Sequence, residues 1–128
     1  MNLVTPLNRV LGLGSAKDGT EHWWRQRVSA VALAVLGLWL AIAALGIDDW
    51  EYATVAAWVR RPTISVLLLI SVLTSCYHSQ LGVQIVVEDY VHANAVKIAT
   101  LILSTFLHVS LAVAGAFAVL KLAFGAQA

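Results

Sequence analysis

An all-α membrane protein with three transmembrane helices is the fold class that three observations predict. Hydrophobic residues make up 60% of the 128 residues and charged residues only 12%, about half the share of charge usual in a soluble domain. The mean hydropathy is +0.82. Residues 28–47, 62–87 and 98–120 contain no Asp, Glu, Lys or Arg. Each of those runs reaches or exceeds the roughly 18 to 20 residues that a helix needs to cross about 30 Å of hydrocarbon. The length allows a single domain, residues 1–128.

The stretch SAKDGTEHWWRQR before the first span reads as a short interfacial segment. Asp18 followed by Glu21 is a capping-box pattern for a helix start. Trp23 and Trp24 carry the amphipathic rings favoured at headgroup level. Arg25 and Arg27, at the mouth of the span, suit snorkelling towards water. No cleavable leader is expected, because Asp18 and Glu21 interrupt the basic residues and no apolar core precedes the first span. That span is read as its own insertion signal.

Trp50, Tyr52 and Trp58 mark the opposite interface, and Pro62 suits the first turn of the second span. Lys and Arg favour the cytoplasmic side. An inner N-terminus puts Arg9, Lys17, Arg25, Arg27 and Lys97 inside, against Arg60, Arg61 and Lys121 outside. The orientation expected is N-terminus in, C-terminus out. A net charge of +1, with no basic patch, zinc-type spacing or phosphate loop, argues against nucleic-acid binding. Cys76 is the single cysteine, so no internal disulfide can form, and it reads as a small packing residue.

The second span holds the most informative residues. Seen down a helix axis from His78, Ser71 lies about 20° away, Gly82 about 40° and Ser75 about 60°. The histidine therefore stands on a stripe of small residues. Two readings compete for it. The stripe is a close helix–helix contact across which His78 hydrogen-bonds, or it leaves room for a flat macrocycle whose iron the imidazole binds.

Asp89 lies about 20° from His78 in projection, and Tyr90 about 18 Å along the axis. A phenol remains a donor at neutral pH, which suits a carbonyl-bearing, lipid-soluble ligand such as a quinone. The plainer reading makes Tyr90 an interfacial aromatic and Asp89 a solvated acid. His108 stands at a similar depth to His78. It is either a second ligand to a haem held within one chain or a hydrogen-bonding partner of a neighbouring helix. His92 and His22 read as exposed loop histidines, although His92 is close enough to Tyr90 to relay protons.

The constellation His78-x3-Gly82-x6-Asp89-Tyr90 on the second of three spans resembles the smaller of the two hydrophobic membrane anchors of succinate dehydrogenase, respiratory complex II. The segment GSAKDGTEHWWRQRVSA is similar to the bacterial branch nearest to mitochondria. The likeness runs from residue 12 through the third span. It implies that His78 is an axial ligand of a b-type haem shared with a partner anchor subunit. It implies that Tyr90 hydrogen-bonds a ubiquinone carbonyl beside Asp89, and that Arg27 approaches a haem propionate. A guanidinium pairs naturally with a carboxylate, in keeping with that last role.

By the same resemblance the helices pack with the partner anchor as a bundle in the bacterial inner membrane. A flavoprotein with FAD and an iron–sulfur subunit with its clusters make up the rest of the complex. The anchor has no catalytic group for succinate. Three alternatives remain open: a haem-free anchor as in some fumarate reductases, a b-type carrier with an intrachain bis-histidine haem, and a non-redox transport or assembly subunit.

Overall fold

A computed structural model describes residues 16–125 together with Leu7 and Val10, with side chains in the continuous part from residue 20 onward. Arg9 lies outside the described residues, as do the side chains of Lys17 and Asp18. Four helices follow in order: α1 Ala16–Ala44, α2 Tyr52–Val59, α3 Pro62–Tyr90 and α4 Asn94–Phe124. Among the described residues there is no strand. In hydrocarbon an open backbone has no water to bond, so every spanning segment closes its hydrogen bonds within its own helix. Helices α1, α3 and α4 are long and apolar enough to cross a membrane.

The helices outrun the charge-free segments. The interfacial stretch is not a separate unit, because α1 runs unbroken from Ala16 into the span. Asp18 therefore lies inside the helix rather than at its cap, and Glu21 instead pairs with Arg25 one turn on. Helix α3 continues through Glu88 and Asp89 to Tyr90. A charge-free run underestimates a helix because terminal charged side chains reach water from inside it. Charge counting also passed over α2, an eight-residue helix in the loop after α1.

Pro62 opens α3 after an extended Arg61, as its fixed φ and missing N–H favour. At the other end, Val91 leaves the helix in an extended conformation, and Lys97 Nζ donates to the Glu88 carbonyl at 2.8 Å. That bond satisfies one of the carbonyls that a helix C-terminus leaves open. Arg60 Nη2 donates to the Gly125 carbonyl at 3.3 Å, tying the end of α4 to the loop before α3.

Helix α3 is central. It packs against α1 on one side and α4 on the other, while α1 and α4 do not touch among the described residues. The three long helices thus form a row rather than a closed triangle. The contact with α4 is close: a Cβ added at Gly115 would lie 2.6 Å from Val72 Cγ1. Only Ser29, Ala56, Val59, Leu81 and Val87 are buried among the described residues. None of them lies on α4. So little enclosed core is what a bilayer permits, since lipid tails are as apolar as leucine.

Candidate functional site between the first and second spans

The α1–α3 seam carries His78. Its Nδ1 lies 2.9 Å from Ser29 Oγ on α1. Ser29 is 4% exposed and is the one buried polar residue among those described. Its hydroxyl also lies 2.8 Å from the Arg25 carbonyl and 3.1 Å from the Gln26 carbonyl. The Nε2 of His78 makes no hydrogen bond among the described residues.

His78 borders a groove of about 450 Å³, lined also by His22, Trp23, Gln26, Arg27, Ala30 and Ile85. The volume falls in the ~300–1,000 Å³ range of small-molecule sites. Two further polar atoms on the lining residues, His22 Nε2 and Gln26 Oε1, are buried without a partner. Arg27 stacks over Trp23, its guanidinium carbon 5.5 Å from the ring centroid. It has no carboxylate partner among the described residues, the one ion pair there being Arg25 with Glu21. A buried polar atom left unpaired costs about 1–3 kcal/mol, so the groove is chemically incomplete. Its donor set fits a flat group with a metal centre for Nε2 and an acidic edge for Arg27.

The structure shows the hydrogen bond across the helix–helix contact, and it engages one of the two ring nitrogens of His78. Nδ1 makes the contact between helices, and Nε2 makes no hydrogen bond among the described residues. The small-residue stripe contributes unevenly. Gly82 faces α1, where an added Cβ would meet Gln26 Nε2 at 3.8 Å. Ser71 bonds the Leu67 carbonyl of its own helix at 2.7 Å, and Ser75 is exposed.

His108 is arranged differently. Its Nδ1 lies 2.7 Å from the Ser104 carbonyl, which can only accept, so Nδ1 carries the proton. Its Nε2, 3.1 Å from Ser79 Oγ, then accepts from that hydroxyl. Both nitrogens are satisfied within the α3–α4 seam, beside a groove lined by Leu73, Cys76, Tyr77, Gln80, Thr105 and others. Those α3 residues point away from the side that His78 faces. The arrangement matches the hydrogen-bonding alternative for His108.

Of the four sequence-derived site residues, the structure brings His78 and Arg27 together. Asp89 and Tyr90 do not line their groove. They stand exposed in the last turn of α3, Tyr90 at 77%. His92 is exposed in the short loop that follows. Sequence reading missed Ser29 and Gln26, and it placed His22 in a loop although it sits on α1 facing the groove. A signal existed: His22, Gln26 and Ser29 recur at i, i+4 and i+7, a polar stripe on one face of a helix.

The family model described as succinate dehydrogenase/fumarate reductase transmembrane subunit matches residues 1–120. A succinate dehydrogenase hydrophobic membrane anchor subunit of Rickettsia bellii is 39% identical over 84 residues, 66% of this chain and 67% of its own. One of Paracoccus denitrificans is 32% identical over 126 residues, 98% of this chain and 97% of its own. A succinate dehydrogenase membrane anchor subunit of Reclinomonas americana is 31% identical over 90 residues, 68% of this chain and 75% of its own. No solved structure matches the chain significantly. With the model covering nearly all its length and one relative aligned from end to end, the chain belongs to the family of succinate dehydrogenase membrane anchor subunits.

Proposed function

We propose that this anchor, itself non-catalytic, holds a b-type haem between α1 and a partner anchor subunit and supplies one wall of a ubiquinone reduction site. One observation carries the reading. An imidazole with one nitrogen outside any hydrogen bond lines a groove together with an arginine that has no carboxylate partner and two residues with unpartnered buried polar atoms, all among the described residues. His78 Nε2 would hold the iron, and Arg27 the propionate edge. A haem there supplies one-electron redox capacity. The groove is open on one side, as Trp23, Arg27 and Ile85 are exposed. A second chain would close it and would supply a further protein ligand to the haem iron.

Tyr90 and Asp89 form the second part of the proposal. From the end of α3 the phenol donates a hydrogen bond to a quinone carbonyl, and the neighbouring carboxylate sets the local charge for proton delivery. Exposure of both side chains is consistent with a pocket whose remaining walls belong to the partner anchor and the iron–sulfur subunit. Succinate oxidation then belongs to a flavoprotein carrying FAD, with electrons arriving through the iron–sulfur clusters. The chain sits in the bacterial inner membrane. Its N-terminus and the α3–α4 turn face the cytoplasm, and its C-terminus faces the periplasm.

The test uses the purified complex, with each histidine replaced in turn. His78→Ala is expected to abolish the low-spin haem spectrum, and His108→Ala to preserve it. The reverse pattern, or a complex without any Soret band, would refute the assignment.

A further inference from the structure

We infer that Ser29 is the positioning residue of the His78 imidazole, and that it fixes the tautomer in which the lone pair lies on Nε2. The inference rests on the haem reading above and goes beyond it, because it assigns a role on α1 to a residue that touches neither iron nor quinone.

The proton count decides the tautomer. A serine hydroxyl has one proton and two lone pairs. Ser29 Oγ lies 2.8 Å from the Arg25 carbonyl oxygen, an atom that can only accept. Without a proton between them, two oxygens at that separation would face each other lone pair to lone pair. The Ser29 proton therefore goes to that backbone carbonyl, with the Gln26 carbonyl at 3.1 Å as a weaker second acceptor. What remains towards His78 is a lone pair. At 2.9 Å it accepts, so Nδ1 must carry the hydrogen. A neutral imidazole with its proton on Nδ1 has its free lone pair on Nε2.

Burial makes the arrangement firm. Ser29 is 4% exposed, so water cannot substitute for the ring. Exchange of the two roles would break the bond to the Arg25 carbonyl for no gain. The seam thus delivers the imidazole with one rotation about its hydrogen bond restrained and one nitrogen ready. Outer-shell partners of this type fix the orientation of a metal-ligating histidine and raise its basicity. Their loss typically weakens metal affinity by about 10–100-fold.

The experiment compares Ser29→Ala, Ser29→Thr and Ser29→Val in the assembled complex. Three quantities are read: the haem-to-flavin ratio with the rate of haem release, the low-spin ferric electron paramagnetic resonance signal, and the haem midpoint potential. Ala and Val are expected to release haem about 10–100-fold faster. They should also broaden the ferric signal and move the potential upward, since a less basic ligand stabilises the ferric state less. Thr keeps a hydroxyl and is expected to restore all three values. Thr and Val are close in volume, so a difference between them reports the hydroxyl rather than packing.

Identical haem behaviour in Thr and Val would overturn the inference. So would failure of Ala and Val to assemble while Thr assembles, because Ser29 would then be structural. His78→Ala separates the two levels. Persistence of the haem spectrum in that variant sinks the ligand assignment itself. Its loss there, beside an unaltered Ser29→Ala, removes the role of Ser29 alone.

Discussion

The two seams of α3 each hold a histidine in a polar setting, yet one is closed and the other open. On the α4 side, His108 gives both nitrogens to the chain itself, to Ser104 and Ser79. On the α1 side, His78 gives one to Ser29 and keeps the other. The first seam resembles a finished helix contact, tightened where Gly115 lets Val72 approach. The second leaves His22 Nε2 and Gln26 Oε1 buried without partners. A histidine inside a membrane can have both nitrogens taken up by helix packing, as His108 does. What separates the two is the nitrogen that the fold leaves unspent.

Substitutions that test this contrast fall in order of size. The largest effect is expected at the open seam, where His78→Ala should eliminate the haem band while His108→Ala retains it. Equal loss in both would erase the distinction. Next is Tyr90→Phe, which should lower succinate-to-quinone turnover by about 10-fold or more, the worth of roughly one hydrogen bond. Reduction of an artificial acceptor by the soluble subunits should survive, and normal quinone turnover would remove Tyr90 from the proposal.

A smaller and purely structural effect is expected at the closed seam. Gly115→Leu forces side-chain atoms against Val72 and should destabilise the complex by about 1–3 kcal/mol. Thermal inactivation measures it, and the haem spectrum of surviving complex should be unchanged. Smallest of all is Ser79→Ala, which removes the bond to His108 Nε2. Hydrogen bonds between membrane helices average about 0.6 kcal/mol. A shift in the haem spectrum with Ser79→Ala would show that the seams are coupled and blur the comparison.

Much of this molecule is legible in its sequence, though unevenly. The long apolar runs announce spanning helices because hydrocarbon admits few other backbones. His78 and the Asp89–Tyr90 pair stand out by composition and spacing. Arg27 is harder, since an arginine at the mouth of a span usually snorkels, and only the likeness to a known family marked it. Ser29 gave no warning in isolation. Serine in an apolar helix commonly bonds its own preceding carbonyls, and Ser29 does so while also meeting His78.

The amino-acid sequence alone determined the number of spans, the position of His78 within the second and the place of Asp89 and Tyr90 near its end. Local pattern suffices for these, because they depend on rise and angle along one helix. Which histidine nitrogen is free, which helix faces which, and the grouping of His22, Gln26, Arg27 and His78 were decided by tertiary structure. Those facts depend on the rotation of one helix about its axis against another. In a bilayer no difference between apolar side chains and lipid sets that rotation in advance. It is settled by close packing and by a few hydrogen bonds between residues distant in the chain, of which Ser29 to His78 is the clearest.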